Sequence, residues 1–198
     1  MKLLITLLIV ILFLVYADIM NRDKYFDELL EYIPKGAKVL DFGAGKCELS
    51  TYIGTRNDVT SIDIQKSCEG ADVYDGYKLP YDNDSFDVVV SMFVLHHIPH
   101  NQEIVKELQR VSRGRVIVVE DEPVTVYQKM IARLHYIFFK QPTHTIEHMK
   151  TPQEWCDMLG GDCEIKKLRS SSIINTTPHY VIVKDVSGRP PRTYHFHR

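Results

Sequence analysis

The stretch Val39-Leu40-Asp41-Phe42-Gly43-Ala44-Gly45 constrains this chain more than any other. A short apolar run ends in an acid and then breaks into glycines. A buried parallel strand that stops at a ligand has this pattern, because glycine permits a tight turn and close backbone approach. Taken alone, the turn is compatible with any nucleotide-like ligand. The residues that follow at set distances narrow the choice.

Hydrophobic periodicity organises the rest. Asn21 to Ile33 reads as an amphipathic helix, with Tyr25, Phe26, Leu29, Leu30 and Ile33 on one face, stopped by Pro34 and Gly36. Lys38 to Phe42 is a strand, and Glu48 to Thr55 a helix opening at the glycine turn. Val59 to Ile64 is a second strand with Asp63 near its end, and Ala71 to Tyr74 a short third. After the polar cluster Tyr81 to Ser85, Phe86 to Ser91 is nearly continuous and apolar, as a central parallel strand requires. Asn101 to Val111 is helical, Arg115 to Val119 a buried strand ending at Glu120-Asp121-Glu122, and Val124 to Phe139 helical. Gln141 to Lys150 is a loop. Thr151 to Leu159 is helical, with Pro152 in its first turn and Gly160-Gly161 at its end. Cys163 to Ile174 and His179 to Lys184 are closing strands. The tail 187–198 is read as disordered.

Strands alternating with helices make an α/β sheet with parallel strands. Ligands bind such sheets beyond the carboxyl ends of the strands. That edge receives Asp41 to Gly45, Asp63, Ser91 to His97 and Glu120 to Glu122.

The net charge of -2 supplies no basic field, so nucleic acid is not an expected partner. Oligomeric state is not legible. Cys47, Cys68, Cys156 and Cys163 form no CxxC pair, and the expectation is reduced thiols. His144 and His148 supply two candidate ligands with no third, so no metal is expected. Leu3 to Ala17 is apolar except for Thr6. As a helix it rises about 22 Å, and about 27 Å if extended to Met20, near the hydrocarbon thickness of a thin membrane. Residues 1–20 are therefore read as a membrane anchor, with a cytosol-facing domain over 21–186. The alternatives are a signal peptide cleaved after Val15-Tyr16-Ala17, which places the domain in the secretory pathway, and a buried helix.

The ordered series resembles the class I S-adenosylmethionine-dependent methyltransferases. Val39 to Gly45 resembles their first motif, with Asp63 about twenty residues on. Asp75-Gly76-Tyr77-Lys78-Leu79-Pro80-Tyr81 resembles their third acidic segment. Ser85 to Ser91, followed by Leu95-His96-His97-Ile98-Pro99, is similar to the type 11 subgroup. Leu108-Gln109-Arg110-Val111 before the Val116 to Glu120 strand fits as well. Cys47 departs from the series, standing where the family has a third small residue. Ser112-Arg113-Gly114 also departs, being shorter than the family's turn.

The resemblance implies a Rossmann-like, mostly parallel seven-stranded sheet with helices on both faces. It also implies S-adenosyl-L-methionine as cofactor and a small, lipophilic acceptor. The cofactor residues it implies are Asp41, Gly43, Ala44, Gly45, Asp63, Ile64, Asp75, Gly76, Ser91 and Met92. Asp63 would accept the ribose hydroxyls and Asp75 the adenine amino group. Methyl transfer needs proximity, orientation and exclusion of water, and a base only where the acceptor must lose a proton. By position, His96, His97, Glu120 and Asp121 are the candidates for that base. A non-catalytic cofactor-binding module on the same fold is the alternative. A dinucleotide-dependent dehydrogenase is disfavoured, because Gly43 to Glu48 lacks the final glycine of that fingerprint.

Overall fold

In the computed structural model the apolar runs become strands whose side chains alternate between two buried faces. The structure describes Thr6, Val10 and residues 23–66, 68–123, 125, 126, 128–130, 148–168 and 178–188. Among these, β1 (Lys38–Phe42), β2 (Asp58–Asp63), β3 (Asp72–Val73), β4 (Phe86–Met92), β5 (Ser112–Asp121), β6 (Glu164–Lys167) and β7 (His179–Asp185) form a seven-stranded sheet. The order is β3-β2-β1-β4-β5-β7-β6. β1 pairs in parallel with β2 and β4, β2 with β3, and β4 with β5. β7 runs antiparallel to both β5 and β6.

Helices cover both faces, as expected. Leu40, Phe42, Val89, Val116 and Val118 point to one face, under α3 (Asn101–Val111) and α4 (Pro152–Met158). Val39, Val88, Val90, Ile117 and Val119 point to the other, under α1 (Asp23–Leu29) and α2 (Glu48–Ile53). The period of two along a strand sorts these residues, so central strands carry apolar side chains on both faces. α3 buries Ile104, Val105, Leu108 and Val111 at helical spacing. α4 starts at a capping box, in which Thr151 accepts from the Glu154 N–H and the Glu154 carboxylate accepts from the Thr151 N–H.

Several boundaries differ from the sequence expectation. α1 ends at Leu29, short of the expected Ile33, and residues 21 and 22 of the expected helix lie outside the described ones. β5 begins at Ser112 and continues to Asp121, because β7 pairs with it out to Asp121 opposite His179. Its polar ends are ladder residues, which an apolar run does not reveal. Of the expected Cys163 to Ile174, β6 takes Glu164–Lys167, and residues 169–174 lie outside the described ones.

The cysteines require a correction. Cys47 pairs with Cys68 and Cys156 with Cys163, at Cα separations of 6.1 and 5.8 Å, and none is free. Turns bring each pair together across 21 and 7 residues, a proximity that no spacing motif signals. Among the described residues no helix is long and apolar enough to cross a membrane. The segment on which the anchor expectation rests lies outside the described residues except for Thr6 and Val10. Residues 131–147, with His144, and 189–198 also lie outside them.

Gly114 sits where the β4–β5 register shifts between Phe86 and Val88. A Cβ added there would lie 2.4 Å from the Asp87 carbonyl oxygen, a backbone atom that cannot swing away. Gly114→Ala is expected to lower unfolding free energy by about 1–3 kcal/mol in urea titration.

Candidate functional site

The chain runs from β1 out to β2 and β3, then crosses back to β4 on the opposite side of β1. The loops that leave the paired carboxyl ends of β1 and β4 therefore head to opposite sides, the arrangement in which sheets of this kind bind ligands. The glycine turn occupies this switch point. Gly43 has φ +71°, and its N–H donates to the Ile62 carbonyl at 2.8 Å; the Ala44 N–H donates to the same oxygen at 3.2 Å. A Cβ on Gly43 would lie 2.4 Å from Val94 Cγ2. Backbone angle and close packing both demand glycine here. Gly45, at φ +50°, donates its N–H to Asp63 Oδ2 at 2.9 Å, tying the turn to the end of β2.

The acids at this edge differ in surroundings. Asp41 is buried, and its Oδ2 accepts from the Ser50 hydroxyl at 2.6 Å. Ser50 Oγ in turn lies 2.6 Å from Ser61 Oγ, so this network joins β1, α2 and β2. Burial pushes the Asp41 carboxyl up to about 6, the Ser50 hydrogen bond opposes the shift, and the Asp63 charge adds to it. Asp75 is exposed, and the backbone N–H groups of Lys78 and Tyr77 hold its carboxyl below the usual carboxylate range. Those donors share Oδ1.

The Asp75 segment is shaped by α3. His100 Nε2 lies 2.8 Å from the Gly76 carbonyl oxygen, and the exposed Tyr77 ring stacks on the His100 ring at 4.6 Å. Arg110 donates to the Leu79 and Tyr81 carbonyls and pairs with Glu107, which accepts from the Leu79 N–H. Gly76, at φ +88°, brings its backbone beside Ile64, whose side chain is 57% exposed. An exposed apolar side chain thus lies against the Gly76 backbone. Sequence reading singled out Arg110 only as part of a motif and missed His100, whose partner lies 24 residues away.

At the end of β4, Ser91 is fully buried, and its Oγ has no hydrogen-bond partner among the described residues. Met92 is half-buried beside it. Of the expected proton acceptors, His96 is buried with its Nδ1 against Glu120, whose other oxygen accepts from the Leu95 N–H at 2.8 Å. Burial pushes the His96 imidazole down, but the Glu120 charge and hydrogen bond, with Asp121 behind them, push it up further, so it ends raised. His97 is half-buried with its ring against that of His96. Asp121 pairs with His179 Nδ1. His179 also meets the rings of Tyr25 and Phe93 edge-on, at 5.4 and 5.2 Å. His179 escaped the sequence reading because only the antiparallel register of β5 and β7 sets it opposite Asp121.

Comparison with known proteins agrees with this geometry. A family described as a methyltransferase domain matches residues 17–161. The chain is similar to a demethylmenaquinone methyltransferase of Staphylococcus epidermidis, 28% identical over 127 residues, covering 54% of this chain and 52% of that protein. It is also similar to a ubiquinone biosynthesis O-methyltransferase of Aeromonas salmonicida, 30% identical over 62% of this chain and 60% of that one. The chain spans about half the length of the first of these relatives. A SAM dependent methyltransferase from Aquifex aeolicus shares the fold, with a TM-score of 0.56 and 16% identity over 86% of this chain and 96% of that one.

The raised Asp41 pKa gives a pH test. Unfolded, this carboxyl titrates near its ordinary value of 3.8, so the folded chain binds its proton more tightly. The resulting stability is complete below pH 3.8 and is lost as pH rises through about 6. Asp41→Asn removes that loss. In urea unfolding it should gain up to about 3 kcal/mol relative to the wild type between acid and mildly alkaline pH. A variant whose stability tracks the wild type across that range would show that Asp41 does not titrate this way.

Proposed function

We propose that this chain, which belongs to the family of S-adenosylmethionine-dependent methyltransferase domains, methylates a small, lipophilic acceptor. One observation carries the reading. At the switch point, the Asp63 carboxylate is held against the Gly45 N–H, with the exposed Ile64 next in sequence. The residues present fit the cofactor. Asp63 keeps acceptor capacity for paired hydroxyls. Ile64 and Gly76 offer a flat apolar flank for a purine, and Asp75 Oδ2 can accept from its amino group. The buried Ser91 hydroxyl at the end of β4 supplies a further polar group. Gly43, Ala44 and Gly45 present backbone without side-chain bulk. Asp41 acts behind the turn by fixing Ser50.

When bound, the cofactor supplies an electrophilic sulfonium methyl: an acceptor lone pair bonds to the methyl carbon as the carbon–sulfur bond breaks, leaving a neutral thioether. The protein's part is to align the two and exclude water. With Asp63 and Asp75 on the β2–β3 side of the turn, the acceptor falls on the β4–β5 side, beside Tyr25, Phe93 and His179. Their rings suit an apolar or aromatic acceptor, and the names of the quinone-pathway relatives support the same class. There His179 with Asp121 holds the proton that a hydroxyl acceptor would release, and His96 with Glu120, on the opposite face of β5, is the second candidate.

The catalytic unit spans 21–186, and residues 1–20 attach it to a membrane. Two disulfides persist on the oxidising side of a membrane, which favours an anchor that holds the domain on that side over a cytosol-facing one. Mass spectrometry of the mature chain should find Met1 retained as part of an anchor, whereas a start at Asp18 would replace the anchor with a cleaved signal peptide.

Asp63→Asn keeps an acceptor for Gly45 and removes the charge. In calorimetric titration of the full chain, its Kd for S-adenosylmethionine should be about tenfold weaker or more. No binding by the wild type would overturn the cofactor reading. Binding without turnover across phenolic and quinol acceptors would favour a non-catalytic module.

A further inference from the structure

Two links of different kinds join the glycine turn to the segment after β2. One is the hydrogen bond from Gly45 to Asp63. The other is the bond between Cys47 and Cys68. Cys47 closes the turn: its N–H donates to the Ala44 carbonyl at 2.7 Å, and its own carbonyl accepts from the Thr51 N–H and Oγ1 at 2.9 and 2.7 Å. Cys68 sits midway along the loop from Asp63 to β3, among the exposed residues Ile64, Gln65, Lys66, Glu69 and Gly70. That loop carries Ile64 and leads to Asp75, so it shapes one side of the candidate site. The Cα separation of 6.1 Å is within ordinary disulfide reach.

Cys47 is also an outlier in its own right. It has φ +58°, in the left-handed region, and it stands at the N-cap of α2 without a side-chain capping bond. Glycine would relieve the backbone and serine or aspartate would cap the helix. Cysteine does neither, and its sulfur is used by the bridge. A residue kept in strained backbone beside a site points to a role at that site.

We propose that the Cys47–Cys68 disulfide is a covalent clamp across the cofactor site, and that the oxidised chain is the form that binds S-adenosylmethionine tightly. The inference rests on the cofactor reading above. With the bridge closed, the loop is already placed when the cofactor arrives. With it open, binding must also order residues 64–70, and affinity falls. The bridge forms by exchange with a low-molecular-weight disulfide such as oxidised glutathione. One cysteine thiolate attacks, giving a mixed disulfide and releasing one glutathione; the second cysteine displaces the other. Two electrons and two protons pass from the protein to two glutathione thiols. Cys156–Cys163 serves as an internal control. It closes the Gly160-Gly161 turn between α4 and β6, away from that site.

The experiment uses the full chain, equilibrated either with oxidised glutathione or with a phosphine reductant, and titrated calorimetrically with S-adenosylmethionine. Non-reducing peptide mass spectrometry should recover Cys47 linked to Cys68 in the oxidised sample. Reduction should weaken Kd about tenfold, and reoxidation should restore it. Cys68→Ser should bind weakly in both conditions, while the Cys156→Ser/Cys163→Ser double variant should keep the redox response. Equal affinity in the two states, or no linked peptide, overturns the clamp and leaves the cofactor reading standing. Absence of binding in every state overturns the cofactor reading and the clamp with it. Circular dichroism shows whether the reduced chain stays folded. If it does not, Cys68→Ser with the other bridge intact decides the matter, and unfolding of that variant also overturns the clamp.

Discussion

The close approach of Val94 to Gly43 is the contact on which this site depends. Val94 lies just after β4 and Gly43 just after β1, and the two strands are neighbours in the sheet. Because no Cβ intervenes, the β4 loop packs directly on the turn. On the β2 side, the N–H groups of the turn donate to the Ile62 carbonyl and the Asp63 carboxylate. The side chain of Val94 fills the space that a Cβ on Gly43 would need.

The acids around that turn do different work because their surroundings differ. Asp41 is enclosed, and the cost of charging it in a buried place raises its pKa. It serves the framework through Ser50 and Ser61. Asp75 lies in solvent and is held by backbone N–H groups that favour its charged form. It is available to a ligand. Across the sheet, Glu120 and Asp121 are adjacent in sequence, so they point to opposite faces of β5. Each meets its own histidine, one from the turn after β4 and the other from β7. Pairing satisfies carboxylates whose histidine partners are otherwise shut away from water.

Much of the framework was legible from local patterns. The glycine turn, the nearly unbroken apolar run of β4 and the face of α3 each follow from short-range rules. The parallel sheet with helices on both faces then follows from their alternation. The ends of β5 were not legible, because polar residues enter a ladder only when a partner strand reaches them. Nor was the shaping of the Asp75 segment, since His100 and Arg110 act on backbone more than twenty residues away.

What the sequence determined by itself is therefore the framework of the proposed cofactor seat. That seat is built from a turn with backbone angles only glycine accepts readily and from acids placed at strand ends by short spacings. Tertiary structure alone decided the rest. The joining of Cys47 to Cys68 depends on two loops folding toward each other, and the partnership of Asp121 with His179 depends on the antiparallel register of β7 on β5. Both are long-range closures, and no local preference of the chain encodes which distant residue will arrive.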